Sequence, residues 1–401
     1  MDNYIVIRHG NDSFTEEKTF GSDPIFKDFR GNVSIDNLPA PKVSIEKGVS
    51  DNDIAEFNLD PAVYVHGPEM PIRLIEASTT ASEKVSRDAW GIAEIGANKS
   101  QHDGAGVKVA VLDTGIEAHH PAFRGMRLIE EDYTDEGNGD TNGHGTHCAG
   151  TIFGRDIDQT RIGVAPGIDT ALIGKILKKN GLGDSGMIFR GIEWALENNA
   201  DVISMSVALD FPGTVKSMTK KGWPVDLATS HALTRYRANL RMFDAIMAKV
   251  RARAAFDEGS VLIAATGNQS RRDVAQHLKI DVALPGAADG VISVGALGRD
   301  NDGRLSVADF SNTAADVTAP GVAVKSAKTG GGLVDKDGTS MACPHVAGVA
   351  ALWWQALRNE ETDGKTTAQT VMAQLVATAS RDMLKSPAHK ADVGRGCVSA
   401  P

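Results

Sequence analysis

The chain has only three cysteines in 401 residues, Cys148, Cys343 and Cys397. An odd number at wide spacing gives no sign of a disulfide framework. Basic residues are in deficit, with 42 Lys and Arg against 52 Asp and Glu and a formal net charge of −10. That balance argues against nucleic acid or an anionic membrane as the main partner. No apolar run is long enough to span a bilayer. The opening MDNYIVIRHGNDSFTEEKTF carries acids early and lacks a basic stretch followed by an apolar one, so it does not read as a secretion signal. The expectation is a cytoplasmic protein without nucleic-acid or membrane partners. Internal repeats are also missing. What remains is an ordinary globular composition, 41% hydrophobic and 23% charged, long enough for one large domain and a smaller one.

Two regions differ in pattern. In the first, residues up to about 40 are polar and rich in turn formers, with YIVIR as the one strand-like run. KVSIE alternates like a strand, Ser50 is placed to cap a short helix over SDNDIAEF, and AVYVHG and IRLIEA read as strands. This predicts a small α+β unit ending near Ala77, followed by the polar segment STTASEKVSRDA, a linker or a cleavable stretch. From Trp90 onward, GVKVAVLDTG, TALIGKIL, ADVISMSVAL and GSVLIAATGN are near-continuous apolar runs, and MIFRGIEWALENN has helical spacing between two of them. Buried strands alternating with helices imply an α/β fold, a mostly parallel sheet with helices on both faces. Sites in such sheets form outside the carboxyl ends of the strands.

Four polar residues stand at such turns. Asp113 ends an apolar strand; it reads either as a turn acid bonded to the Thr114-Gly115 backbone or as a functional carboxylate. His144 lies between two glycines in NGHGTHCAG at a helix start. His144, His147 and Cys148 share helical spacing, but HExxH is absent and no further ligand cluster accompanies them, so His147 reads as a packing residue. Asn268 follows Gly267 in AATGN, either as a turn residue or as an amide donor aimed into a cleft. Ser340, in DGTSMACPHVAG, is either a helix cap or a nucleophile. A hydroxyl nucleophile needs a base, and the base needs an orienting acid. Asp113, His144 and Ser340 supply these types.

VAVLDTGI, NGHGTHCAG, AATGN and GTSMACPHVAG, in that order, resemble the Asp, His, oxyanion-Asn and Ser blocks of the subtilisin-like serine proteases, the subtilases. AWGIAEIGA is similar to the opening of that family's mature domain, and the resemblance runs from about residue 88 to 355. It implies a three-layer subtilisin-like fold and a serine endopeptidase needing no cofactor for its chemistry, with Ser340 attacking, His144 as base, Asp113 orienting it and Asn268 as oxyanion donor. It further implies that a protein or peptide substrate binds as an added strand between Gly181-Leu182-Gly183 and Ser206-Val207-Ala208. Ala265-Thr266-Gly267 and Ala283 would line the primary specificity pocket. The family more often has glycine at the positions of Ala208 and Ala283, which narrows the groove toward a medium apolar side chain. The usual tight calcium site does not carry over: Ala122 stands where an Asp is usual, and FGRDIDQTRIG lacks the ligand pattern, leaving Asp156 and Asp158 as a different calcium option or a solvated loop.

The resemblance divides the chain into a propeptide-like region, 1–80, and a peptidase domain, 81–401, with an insertion at 210–258. NLDPAVYVHGPEM is similar to the last part of the family's inhibitory propeptide, so the N-terminal region is expected to act as chaperone or inhibitor, cut somewhere in 76–89. Residues 226–257 predict one long amphipathic helix with Leu233, Leu240, Phe243, Ile246, Met247 and Val250 on one side. That helix is either a covering element or a lid beside the groove. A water-excluding lid would favour a dedicated processing protease or a peptide cyclase, in which an amine resolves the acyl-enzyme. A non-catalytic peptide binder is the third class, and the full set Asp113, His144, Asn268 and Ser340 speaks against it.

Overall fold

A computed structural model describes residues 2–9, 42–75, 89–253, 258–300, 302–360, 366–385 and 388–401. The N-terminal unit comprises β1 (Asp2–Arg8), β2 (Lys42–Val49), α1 (Asp51–Leu59) and β3 (Val63–Pro68), in an antiparallel sheet of order β2-β1-β3. Ser50 starts α1 as the sequence predicts: its hydroxyl accepts from the Asp53 N–H at 3.3 Å, and the Asp53 carboxylate accepts from the Ser50 N–H at 2.7 Å. β4 (Pro71–Leu74) corrects one expectation. It does not join the sheet of its own unit; it lies antiparallel between two edge strands of the larger domain, β8 (Leu182–Asp184) and β10 (Val207–Leu209). Two short facing edges leave backbone groups to satisfy, and β4 satisfies both.

The larger domain opens with α2 (Trp90–Glu94), β5 (Val109–Asp113), β6 (Arg127–Asp132), α3 (His144–Phe153) and β7 (Thr170–Lys175). After β8 come α4 (Ser185–Glu197), β9 (Val202–Met205), β10, α5 (Phe211–Lys220), α6 (Val225–Arg253) and β11 (Val261–Ala265). Then follow β12 (Ile292–Arg299), β13 (Leu305–Val307), β14 (Val317–Pro320), β15 (Val324–Ala327), β16 (Leu333–Lys336), α7 (Thr339–Glu360), α8 (Ala368–Thr378) and α9 (Lys390–Val393). The main sheet runs β13-β12-β11-β9-β5-β7-β6, with β14 also on β12, and only the β12–β13 pairing is antiparallel.

Alternation along the buried strands divides the interior in two. Val109, Val111, Val261 and Ile263 face a core with Cys148 and Ile152 of α3 and Val346 and Ala350 of α7. Ala110, Leu112, Leu262 and Ala264 face the other, with Ile188 and Phe189 of α4 and Phe243 and Ile246 of α6. Ile5, Ile7, Met70 and Ile72 of the N-terminal segment join this second core. The expected layers, helices on both faces of a mostly parallel sheet, are therefore present, and the N-terminal unit is packed onto one of them.

The 210–258 insertion contains the predicted long helix, α6, and a shorter one ahead of it. It forms two helices, because Pro212 and the Lys221-Gly222 turn set off α5 before α6 begins. Phe243, Ile246, Met247 and Val250 are buried as expected, but Leu233 is 44% exposed. Near its start α6 has passed the edge of the sheet and meets the N-terminal unit instead. A Cβ at Gly67 of β3 would lie 2.8 Å from Ala238 Cβ, Asn239 Nδ2 donates to Pro68 O at 3.0 Å, and Arg235 donates to Glu69 O at 2.8 Å and pairs with Asp2. On the neighbouring helix, Glu193 of α4 accepts from the Val43 N–H at 2.9 Å. The insertion thus both covers the sheet and carries the small unit.

Candidate active site

Asp113 is the last residue of β5, at the carboxyl end of the sheet, and is 1% exposed. Its carboxylate serves both the following turn and the His144 ring. Its Oδ1 accepts from the Thr114 N–H at 2.7 Å, and its two oxygens lie 2.8 and 3.0 Å from His144 Nδ1, which donates to them. The carboxylate therefore selects the tautomer that leaves Nε2 as the basic nitrogen. His144 opens α3, and its Nε2 is buried without a hydrogen-bond partner.

Asp140, four residues before His144, holds this arrangement together, and the sequence reading did not single it out. Its carboxylate accepts from Thr114 Oγ1 (3.0 Å), the Gly143 N–H (2.8 Å) and the Thr146 N–H and Oγ1 (2.9 and 2.7 Å). Thr114 Oγ1 in turn accepts from the Gly145 N–H at 2.9 Å. One buried acid thus ties the turn after Asp113 to the helix bearing His144. The signal available was an acid at fixed distance from a helix-opening histidine, too short a pattern to separate from a loop acid.

Ser340 is the second residue of α7 and fully buried. Its Oγ donates to the carbonyl oxygen of Ile75 at 3.0 Å rather than to His144. Pro344 follows four residues later and has no N–H to give the Ser340 carbonyl. That carbonyl accepts instead from Ser206 Oγ at 3.3 Å and Cys148 Sγ at 3.4 Å. A proline in the first turns of the helix thus makes the Ser340 backbone depend on two side chains from other elements. Burial and the nearby Asp113 charge hold the Cys148 thiol well above its ordinary pKa, so it is a neutral donor. Cys343, also buried, is pushed up to about 11.

Asn268 follows Gly267, whose φ of +113° and close contact with the Asn312 amide admit no side chain. Asn268 Oδ1 accepts from the Thr339 N–H (2.9 Å) and Oγ1 (2.8 Å). The amide is thereby oriented with its oxygen on Thr339 and its donor end turned elsewhere. Asn312 steadies the loop, donating to Thr266 O at 3.0 Å and accepting from the Gln269 and Ser270 N–H groups.

The two segments expected to flank a substrate strand flank β4 of this chain. Val207 pairs with Leu74 and Ala208 with Arg73 on one edge; Leu182 pairs with Arg73 and Gly183 with Ile72 on the other. The Leu74 N–H donates to Gly181 O at 2.7 Å and the Ile75 N–H to Ser206 O at 3.5 Å. Ile75 is fully buried, in the same core as Ala208 and Ala265, and Ala283 packs against that core while donating its N–H to Thr266 O at 3.0 Å. The expected cut at 76–89 lies outside the described residues except for Ala89; the carbonyl brought to Ser340 belongs to Ile75.

His147 is not part of this group. Its Nε2 donates to Val324 O and Val334 O at 3.0 and 3.2 Å, and burial lowers its pKa well below the ordinary value. Among the described residues, the side chains close enough to share a metal ion are Asp113, His144 and Cys148. Asp156 and Asp158 are exposed. No helix among the described residues is long and apolar enough to cross a membrane.

The model of the Subtilase family matches residues 104–396. An intracellular serine protease of Paenibacillus polymyxa is 35% identical over 283 residues, 69% of this chain and 75% of the relative. A thermostable alkaline protease of Halalkalibacterium halodurans is 32% identical over 326 residues, 77% of this chain and 76% of the relative. Subtilisin DY of Bacillus licheniformis is 35% identical over 268 residues, 66% and 83% of the two chains. With a matched domain spanning most of its length and a mostly parallel sheet covered by helices on both faces, the chain belongs to the subtilase family of serine endopeptidases.

Proposed function

We propose that Ser340 is the nucleophile, His144 its general base, Asp113 the acid that orients the imidazole and Asn268 the oxyanion donor, and that residues 1 to about 80 inhibit this site until the chain is cut after Ile75. One observation carries the reading: a strand paired on both edges ends with its carbonyl oxygen 3.0 Å from Ser340 Oγ. His144 Nε2, buried and unpartnered, is the acceptor proposed for the Ser340 proton once Oγ leaves the Ile75 carbonyl oxygen. Oγ then attacks the carbonyl carbon as its proton passes to Nε2. Asn268 and the N-terminus of α7 stabilise the developing oxyanion. His144 next protonates the leaving amine, and water resolves the acyl-enzyme by the reverse path. Main-chain pairing on β8 and β10 supplies affinity with little sequence choice. The burial of Ile75 supports a primary pocket for a medium apolar residue.

The N-terminal unit fits the role of inhibitor because its final strand fills the groove while its sheet rests on α4 and α6. The insertion packs on residues that precede the reacting carbonyl, so a lid over the amine side, which a cyclase would use, finds no support. The negative charge fits the expectation of a cytoplasmic enzyme, and so does the similarity to a protease named intracellular.

The test is the purified full chain with Ser340→Ala. In subtilisin itself, removing the serine or the histidine costs about 10⁶ in kcat, and that magnitude is carried over. The variant should keep an intact N-terminus and fail to react with a fluorophosphonate, while wild-type protein yields a fragment ending at Ile75 by mass spectrometry. Equal hydrolysis by the Ser340→Ala protein would refute the assignment.

A further inference from the structure

β4 lies in the groove as a substrate would, so each of its side chains reports what the adjoining wall accepts. Arg73 is the third residue counted back from the scissile bond, with Ile75 as the first. Its backbone is fixed on both edges by Leu182 and Ala208. Its side chain extends to the insertion, where Nε lies 3.5 Å from Asp210 Oδ1. Beside it opens a pocket of about 340 Å³, walled by Phe211, Leu233 and Tyr236 from the insertion and by Ile280 and Ala283 opposite.

The pocket has the shape and charge of an arginine or lysine site. Its walls are apolar and aromatic, with Phe211 and Tyr236 edge to face at 6.1 Å, which suits an aliphatic stem. Asp281 is the acid among its lining residues and Arg73 the base, and Asp210, just before the lining residue Phe211, is the carboxylate that pairs with Arg73. With β4 displaced, Asp210 would lose its Arg73 partner and no cation would remain among the lining residues of the pocket. Asp210 is also set in place beforehand. Its Oδ1 accepts from the Gly213 N–H at 3.0 Å to cap α5, a bond that does not involve β4. The exposure of Leu233, out of line with a simple covering helix, follows from its place in this wall.

We propose that the insertion builds a subsite for a basic side chain three residues ahead of the scissile bond, with Asp210 as its specificity-determining residue. This rests on the reading of β4 as a substrate mimic. Arg73 is 37% and Asp210 19% exposed, so the preference is modest: a partly solvated ion pair favours Arg over norleucine by about two- to fivefold in kcat/KM.

The experiment uses fluorogenic peptides ending Pro-Ile-Xaa-Leu-Ile before the leaving group, with Xaa as Arg, norleucine or Glu, and processed wild-type enzyme. Expected are Arg above norleucine above Glu, an Arg-to-norleucine ratio that falls toward one between about 20 mM and 0.5 M salt, and loss of that ratio in Asp210→Asn, whose amide can still cap α5. A wild-type ratio of one at low salt overturns the proposal, as does a ratio unchanged in Asp210→Asn. If that variant fails to fold, the salt dependence of the wild-type ratio decides alone. Failure of the underlying reading looks different: no peptide is cut and Ser340 resists a fluorophosphonate.

Discussion

Docking of the N-terminal unit should weaken as pH rises from about 5 to 8, because two carboxyls are trapped at its interface. Glu69 lies against the first turn of α4, where a side chain on Gly186 would collide with it. Burial, then the neighbouring Asp184 carboxylate, raises its pKa from 4.5 to about 7, against the opposing pull of Asn3 and Arg190. Burial likewise raises Glu193 from 4.5 to about 7, although the Val43 N–H, Lys42 and Arg190 favour its charged form. A docked pKa above the free one means that docking favours the protonated acid. The contribution is complete below the free value near 4.5 and is lost as pH climbs through about 7. The difference between 4.5 and 7 would amount to roughly 3 kcal/mol per carboxyl in a dry site. Both side chains keep contact with water, so about 1 kcal/mol each is the working figure after screening. Two such groups change the dissociation constant by roughly 30-fold across the window. The assay is size-exclusion of processed protein at pH 5.5 and 8.0, following the fragment that ends at Ile75. Glu69→Gln with Glu193→Gln should retain the fragment equally at both values. Equal retention by wild type at both pH values would refute the reasoning, and so would undiminished pH dependence in the double variant.

Three further outcomes follow from the packing. Gly67→Leu puts a side chain where Ala238 and Met242 of α6 already stand, so β3 should lift and the unprocessed chain should react with a fluorophosphonate several-fold faster. Asp140→Ala removes the acceptor shared by the Asp113 turn and the His144 helix; kcat should fall by roughly 10- to 100-fold, alongside a lower Tm, since stranded buried donors cost about 1–3 kcal/mol each. Ser206→Ala leaves the Ser340 carbonyl with the Cys148 thiol alone, costing about 1 kcal/mol in urea unfolding with the fluorophosphonate site still reactive.

The sequence by itself determined most of the elements and pointed to the four residues proposed for the site. Continuous apolar runs can be satisfied only by strands covered on both faces, and each family block carries its own turn glycines and helix start, so Asp113, His144, Asn268 and Ser340 were legible from local pattern. Only the tertiary structure decided what depends on meetings between distant segments. IRLIEA reads as a strand in any setting; that β4 leaves its own sheet for the edges of β8 and β10 depends on two edges more than a hundred residues away in the chain. The long helix was legible from its apolar spacing, but not that its first turns wall a pocket and carry β3, because periodicity records which face is covered and not by what. Asp140, and the bond that Ser206 gives to the Ser340 carbonyl, escaped for the same reason. The importance of both residues lies in the hydrogen bonds they accept or give across the fold, and a hydrogen-bonding partner has no signature in the residues on either side of it.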